Sequence, residues 1–183
     1  MLGFDFHISD EVGRSKLLTQ LTRAFRSNPD IVILCIGTDR SPGDSLGPLV
    51  GTFLSEMYVE AHVYGTLDKP VHATNLGDTI EIITRKHPNA YILAIDACLG
   101  KIETIENIIF RNRPLEPGLA LKKELPPVGN ASLMGIVNVG GYMEYLVLQN
   151  TRLTITYKLA RVISGIIAQA MIARTSLKCV AVN

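Results

Sequence analysis

Residues 31–36, Ile-Val-Ile-Leu-Cys-Ile, form an unbroken apolar and largely β-branched run. Such a run is the pattern of a strand covered on both faces. Ala90-Tyr91-Ile92-Leu93-Ala94-Ile95 repeats it, residues 133–139 repeat it again, and residues 61–65 give a shorter version. Between these runs the apolar spacing switches to the helical period. Leu17, Leu18, Leu21, Ala24 and Phe25 share one helical face after a start signal at Ser9-Asp10-Glu11. Leu46, Leu49, Val50, Phe53 and Leu54 form a second stripe over residues 46–57, with Pro48 suited to its first turn. Leu76, Ile80 and Ile83 mark a third helix over residues 75–86. The order α-β-α-β-α-β predicts a parallel sheet with right-handed crossovers.

The second half changes character. Residues 106–113 read as extended, Pro114 to Gly118 as a turn, and residues 119–122 as a short strand, together a hairpin-like excursion. After the strand at 133–139, Gly140-Gly141 ends the run and helix dominates from Tyr142 on. A long amphipathic stretch over residues 151–173 carries Leu159, Val162, Ile163, Ile166, Ile167 and Ala170. The fold class predicted is three-layer α/β/α with a mostly parallel sheet, built as a single domain over residues 1–183. The C-terminal stripe suits either the sheet or a second subunit, which leaves homo-oligomer formation open.

Composition narrows the partners. Of 183 residues 47% are hydrophobic, and 18 basic residues nearly balance 17 acidic ones for a net charge of +1. That balance gives no electrostatic reason to expect nucleic acid or an anionic membrane. The N-terminus lacks a signal-peptide pattern, and the 159–173 run is broken by Arg161, Ser164 and Gln169, so the expectation is a cytosolic protein. Cys35, Cys98 and Cys179 show no C-x-x-C spacing, so reduced thiols are expected rather than a zinc ribbon.

Two aspartates then stand out. Asp44 lies in a glycine-framed loop, Gly37 to Pro48, after the first buried run, and Asp96 directly follows the run ending at Ile95. Ligands of open α/β sheets bind at the strands' C-terminal edge. The loop matches neither a P-loop nor a dinucleotide fingerprint. A carboxylate at the following helix start would also repel a phosphate. Asp44 reads either as a helix cap or as a site acid, and Asp96 either as an acceptor of its own turn's N–H groups or as the second member of a pair. Two carboxylates over one cleft would share a proton, which suits general acid–base work and equally suits a metal. His72, in the loop before the third helix, is placed to reach the same edge, whereas His7, His62 and His87 read as less well placed. Asn138, Gly140 and Gly141 close the last strand beside the same cleft.

The loop Gly43-Asp44-Ser45-Leu46-Gly47-Pro48, with Ile92-Leu93-Ala94-Ile95-Asp96-Ala97 some fifty residues later, resembles the spore germination protease family. Residues 36–50, 69–76, 95–100, 138–141 and 147–151 carry the resemblance. It implies a phosphorylase/hydrolase-like fold shared with the hydrogenase maturation endopeptidases. It also implies an atypical aspartic peptidase with Asp44 and Asp96 as catalytic residues, and His72, Asn75, Asn138, Gly140 and Gly141 about the substrate. The implied substrate is a protein of sporulation or germination, and the implied compartment is the cytoplasm of a sporulating cell or forespore. The metal-binding endopeptidases add a histidine that has no counterpart where this chain reads Gly140-Gly141. The resemblance therefore implies no metal and no other cofactor. Non-catalytic binding of a spore protein, and a metal-assisted hydrolase using Asp44, Asp96 and His72, are the alternatives.

Overall fold

A computed structural model describes residues 3–117 and 127–175. Six strands, β1 (Gly3–His7), β2 (Ile31–Cys35), β3 (His62–Tyr64), β4 (Tyr91–Gly100), β5 (Asn107–Arg111) and β6 (Ala131–Val139), form one sheet in the order β1-β5-β6-β4-β2-β3. The β6-β4-β2-β3 portion is parallel, while β5 and β1 add antiparallel strands at one side. Five α-helices, α1 (Glu11–Arg26), α2 (Leu46–Glu56), α3 (Leu76–Lys86), α4 (Glu144–Gln149) and α5 (Leu153–Thr175), complete the described residues. The predicted α/β class with its mostly parallel sheet is the observed one.

Side chains alternate across the pleat, so each central strand feeds two cores. On one face Ile31, Ile33, Cys35, Leu93, Ile95, Leu133 and Val137 meet α1, α2 and α5. On the other, Val32, Leu34, Ile36 and Ala94 meet Leu76 and Ile83 of α3, together with Leu115 and Val128. Three helices thus cover the first face, and among the described residues α3 is the only helix on the second. α5 packs against α1 and α2. Its Leu159, Ala160, Ile163, Ile167 and Ala170 are fully buried. Its length and hydropathy would allow a membrane span. Its burial makes it the core helix of this domain instead.

The structure adds one strand that the sequence pattern did not mark and lengthens another. The N-terminal segment holding His7 is a strand, paired with β5 from Gly3↔Arg111 to His7↔Asn107. And β4 does not stop at Ile95: it runs on to Gly100. Its neighbour β2 ends at the Cys35↔Ile95 pair, beyond which β4 continues on β6 alone. Asp96 therefore lies within a strand, at the step where the sheet narrows. The proposed strand at 119–122 and Cys179 lie outside the described residues. An antiparallel bridge between Leu115 and Val128 closes the base of the excursion.

Candidate active site

The step at the end of β2 is where the loop to α2 departs. Ile36 still donates its N–H to Ile95, and Gly37 donates to the carbonyl of Val71, which bridges Ile36 in parallel. Gly37 adopts φ +144°, and a Cβ there would collide with the Asp44 carbonyl. That carbonyl accepts from the Thr38 N–H at 3.0 Å, folding the loop back on itself. Gly47 lies so close to the Ile36 backbone that any side chain would meet it. These two glycines press a short 3-10 turn, Gly43–Ser45, and the start of α2 onto the end of β2. Asp44 rides on that turn.

Asp44 is not the helix cap. The N-cap of α2 is Ser45, with no side-chain capping bond. Among the described residues the Asp44 carboxylate accepts no hydrogen bond. Desolvation raises its pKa above the ordinary value, and the nearby His72 imidazole opposes that rise. Asp96 accepts one hydrogen bond, from the Ala97 N–H at 2.8 Å. Its pKa is pushed well above the ordinary value, first by desolvation, then by the Asp44 charge, with the Ala97 bond pulling the other way. Part of the Asp96 residue still meets solvent, but its carboxyl is packed closely enough that desolvation leads. Asp96 shares the strand face of Ile92 and Ala94, the face with the thinner helical cover. The two acids thus act on each other across the gap between β4 and the loop.

His72 joins them through its own loop. Its N–H donates to Asn75 Oδ1 at 2.8 Å, Asn75 Nδ2 donates to the Pro70 carbonyl, and the Thr74 hydroxyl lies 2.8 Å from His72 Nδ1. Asn75 therefore holds the loop that presents His72, and its side chain is occupied in doing so.

Asn138, Gly140 and Gly141 sit further along the same edge. Asn138 Nδ2 donates to the Thr151 hydroxyl at 3.1 Å, and its Oδ1 accepts from the Val139 N–H. Gly43 in turn lies directly against Leu148 and Thr151. Asn138 is thus a clamp between β6, the end of α4 and the Asp44 turn. The Gly140 N–H is bonded to the Gly100 carbonyl and the Gly141 N–H faces Glu144 Oε1 at 3.4 Å. Asp44 thus lies within electrostatic reach of both His72 and Asp96; Asn75 holds the His72 loop and Asn138 braces the Asp44 turn, whereas Gly140 and Gly141 lie beyond them, at the far end of β4.

Cys98, two residues beyond Asp96 on the same face, has its thiol pushed up to about 12 by burial, with Asp96 adding to the rise and Arg111 opposing it. It stays protonated at neutral pH and is no nucleophile. Sequence reasoning missed an exposed apolar surface on the helix that touches the Asp44 turn. Val139, Tyr142, Met143, Tyr145 and Leu146 are all exposed around α4, with Tyr142 at 82% and Tyr145 at 69%. Their signal was present as an apolar series following a strand end, read only as helix.

A family model described as "Protein of unknown function (DUF1256)" matches residues 5–166. The chain is 46% identical over 159 residues to "Uncharacterized protein YyaC" of Bacillus subtilis (strain 168), covering 85% of this chain and 78% of the relative. Among solved structures it is similar to the [NiFe] hydrogenase maturation protease HycI from Thermococcus kodakarensis KOD1, at 17% identity and a TM-score of 0.49, covering 81% of this chain and 98% of that one.

Proposed function

The chain belongs to the DUF1256 family, and from the chemistry its acids share we propose that it hydrolyses a peptide bond with Asp44 and Asp96 as an acid–base pair. What supports this reading is the electrostatic coupling of the two carboxyls: the Asp44 charge raises the pKa of an already desolvated Asp96. Two acids so coupled hold one proton between them over a wide pH range. Asp96, the more strongly raised, keeps that proton. Asp44, favoured as the anion by His72, is the base.

In the reaction, Asp44 takes a proton from water as the water oxygen bonds to the carbonyl carbon. Asp96 gives its proton to the departing amine nitrogen as the carbon–nitrogen bond breaks. The pair ends with the proton on Asp44 and resets by exchange with solvent. The exposed apolar side chains around α4, the helix that touches the Asp44 turn, favour a peptide or protein as the substrate. The resemblance of residues 43–48 and 92–97 to the spore germination proteases directs the choice of substrate to proteins of the spore.

The test is cleavage of spore protein extracts by the purified protein, read by mass spectrometry. Asp44→Asn and Asp96→Asn should each lower the rate by about 10²–10⁴-fold, the usual worth of a positioned acid or base. Undiminished cleavage by both variants removes the mechanism. Binding without cleavage by the unaltered protein turns the reading into that of a recognition module. A chelator separates this reading from a metal-assisted route through Asp44, Asp96 and His72: cleavage that persists in it supports the acid–base pair, and cleavage lost in it supports the metal.

A further inference from the structure

At the opposite end of the sheet, Asp30, His62 and His87 meet. Asp30 immediately precedes β2, His62 opens β3, and His87 follows α3 just before β4. Because β3, β2 and β4 are parallel neighbours, their N-terminal ends lie side by side. His62 Nε2 is 3.3 Å from Asp30 Oδ1, and His87 Nδ1 is 3.3 Å from Asp30 Oδ2. One ligand atom from each residue falls within 4.8 Å of the others. Among the described residues this is the single such cluster of histidine, cysteine and carboxylate groups.

We propose that Asp30, His62 and His87 form a binding site for a divalent transition-metal ion of the Zn²⁺ class. Donor atoms held at about 2.0–2.1 Å from one tetrahedral ion stand about 3.3–3.4 Å apart; each histidine already lies 3.3 Å from one Asp30 oxygen, His62 from Oδ1 and His87 from Oδ2, with the two rings 4.0 Å apart between centroids, so a small turn of the Asp30 carboxylate and the His62 ring would bring three donors onto one ion. Two imidazoles and one carboxylate are the donor set that such an ion accepts and that Mg²⁺ or Ca²⁺ does not favour.

The surroundings are built for it. The Tyr64 hydroxyl lies 3.1 Å from His87 Nε2, the ring nitrogen turned away from Asp30. A hydroxyl both donates and accepts. It can donate to Nε2 while Nδ1–H faces Asp30, and accept from Nε2–H once Nδ1 gives its lone pair to the metal. Ligating histidines are commonly held by such an outer partner. The backbone is fixed as well: the Tyr91 N–H donates to the Asp30 carbonyl at 2.9 Å, and the His87 N–H to the Ile83 carbonyl at 2.7 Å. The His87 side chain is 11% exposed and that of His62 55%. An ion can therefore enter from the His62 side, with a water completing its shell. The site lies roughly 20 Å from the acid pair, the length of a six-residue strand step. Its ion would tie the three-residue edge strand β3 to β2 and to the α3–β4 junction.

The test uses untagged, metal-stripped protein titrated with Zn²⁺ and Co²⁺, with Mg²⁺ as control, followed by calorimetry, thermal melting and the visible spectrum of tetrahedral Co²⁺. One ion per chain should bind and raise the Tm. His62→Ala, an exposed substitution, should abolish both effects while melting as the metal-free parent does. Tyr64→Phe should weaken binding by about 10–100-fold. The double variant Asp44→Asn/Asp96→Asn should bind unchanged. Absence of binding, binding indifferent to His62→Ala, or binding lost with the Asp44/Asp96 variant would each overturn the proposal.

Discussion

A carboxyl buried beside another carboxyl is costly to keep, and Asp96 is in that position. Its folded pKa lies well above the ordinary 3.8. The folded protein therefore holds the proton over a window, from about that value upward, in which the unfolded chain has already lost it. Across the window the native state binds more protons than the unfolded state, so stability falls as pH rises. Asn keeps an oxygen for the Ala97 N–H and carries no charge. Asp96→Asn is thus expected to raise the Tm at neutral pH while lowering the proposed hydrolysis, and to flatten the decline of Tm with pH. Thermal melts of both proteins at a series of pH values check this; a lower Tm for the variant at neutral pH would mean that the carboxylate is a structural asset. This is the usual conflict between stability and a working site.

At the scale of elements, the site depends on how closely α2 approaches the end of β2. Gly47→Ala would drive a Cβ into the Ile36 backbone, and is expected to lower stability by about 1–3 kcal/mol. Gly77, in the first turn of α3, has nothing within 4 Å of an added Cβ. Gly77→Ala should raise stability by about 0.4–1 kcal/mol, through helix propensity and a less free unfolded chain. Urea denaturation of the two variants should give opposite signs. The sequence made β2, β3, β6 and the helices readable because each is a continuous run or a clear 3.6-residue stripe. β4 was cut short because an aspartate after six apolar residues looks like a terminus, whereas the strand continues wherever β6 still offers a ladder. β1 escaped notice although Phe4 and Phe6 alternate with Asp5 and His7. Four residues of alternation gain meaning only from a partner a hundred positions away. The coupling of Asp44 to His72 and to Asp96 was legible in outline, since the loops leaving β2 and β3 and the step where β4 outruns β2 fall on one edge of a parallel sheet. The same rule applied to the strand beginnings would have joined Asp30, His62 and His87.

For the whole molecule, the two faces of the sheet have different tasks. The face under α1, α2 and α5 holds the larger core. The face under α3 holds the smaller core and carries Asp96 on β4. Under the proposed function, a macromolecular substrate would meet the exposed side chains around α4. Tyr145→Ala should raise KM or Kd for that substrate about tenfold, as loss of an interface anchor of more than 1 kcal/mol does. Its effect on unfolding should stay within about 0.5 kcal/mol. Steady-state kinetics alongside a urea melt separates the two. An unchanged KM would place the substrate elsewhere on the edge.

The pairing of β1 with β5 also sets a schedule for synthesis. Among the described residues the first strand bonds to no other strand, so it leaves the ribosome about a hundred codons ahead of its companion. At elongation rates of about 5–20 residues per second that is a wait on the order of 5–20 s. During it Phe4 and Phe6 are uncovered on a nascent chain, in reach of any chaperone that scans emerging aromatic segments.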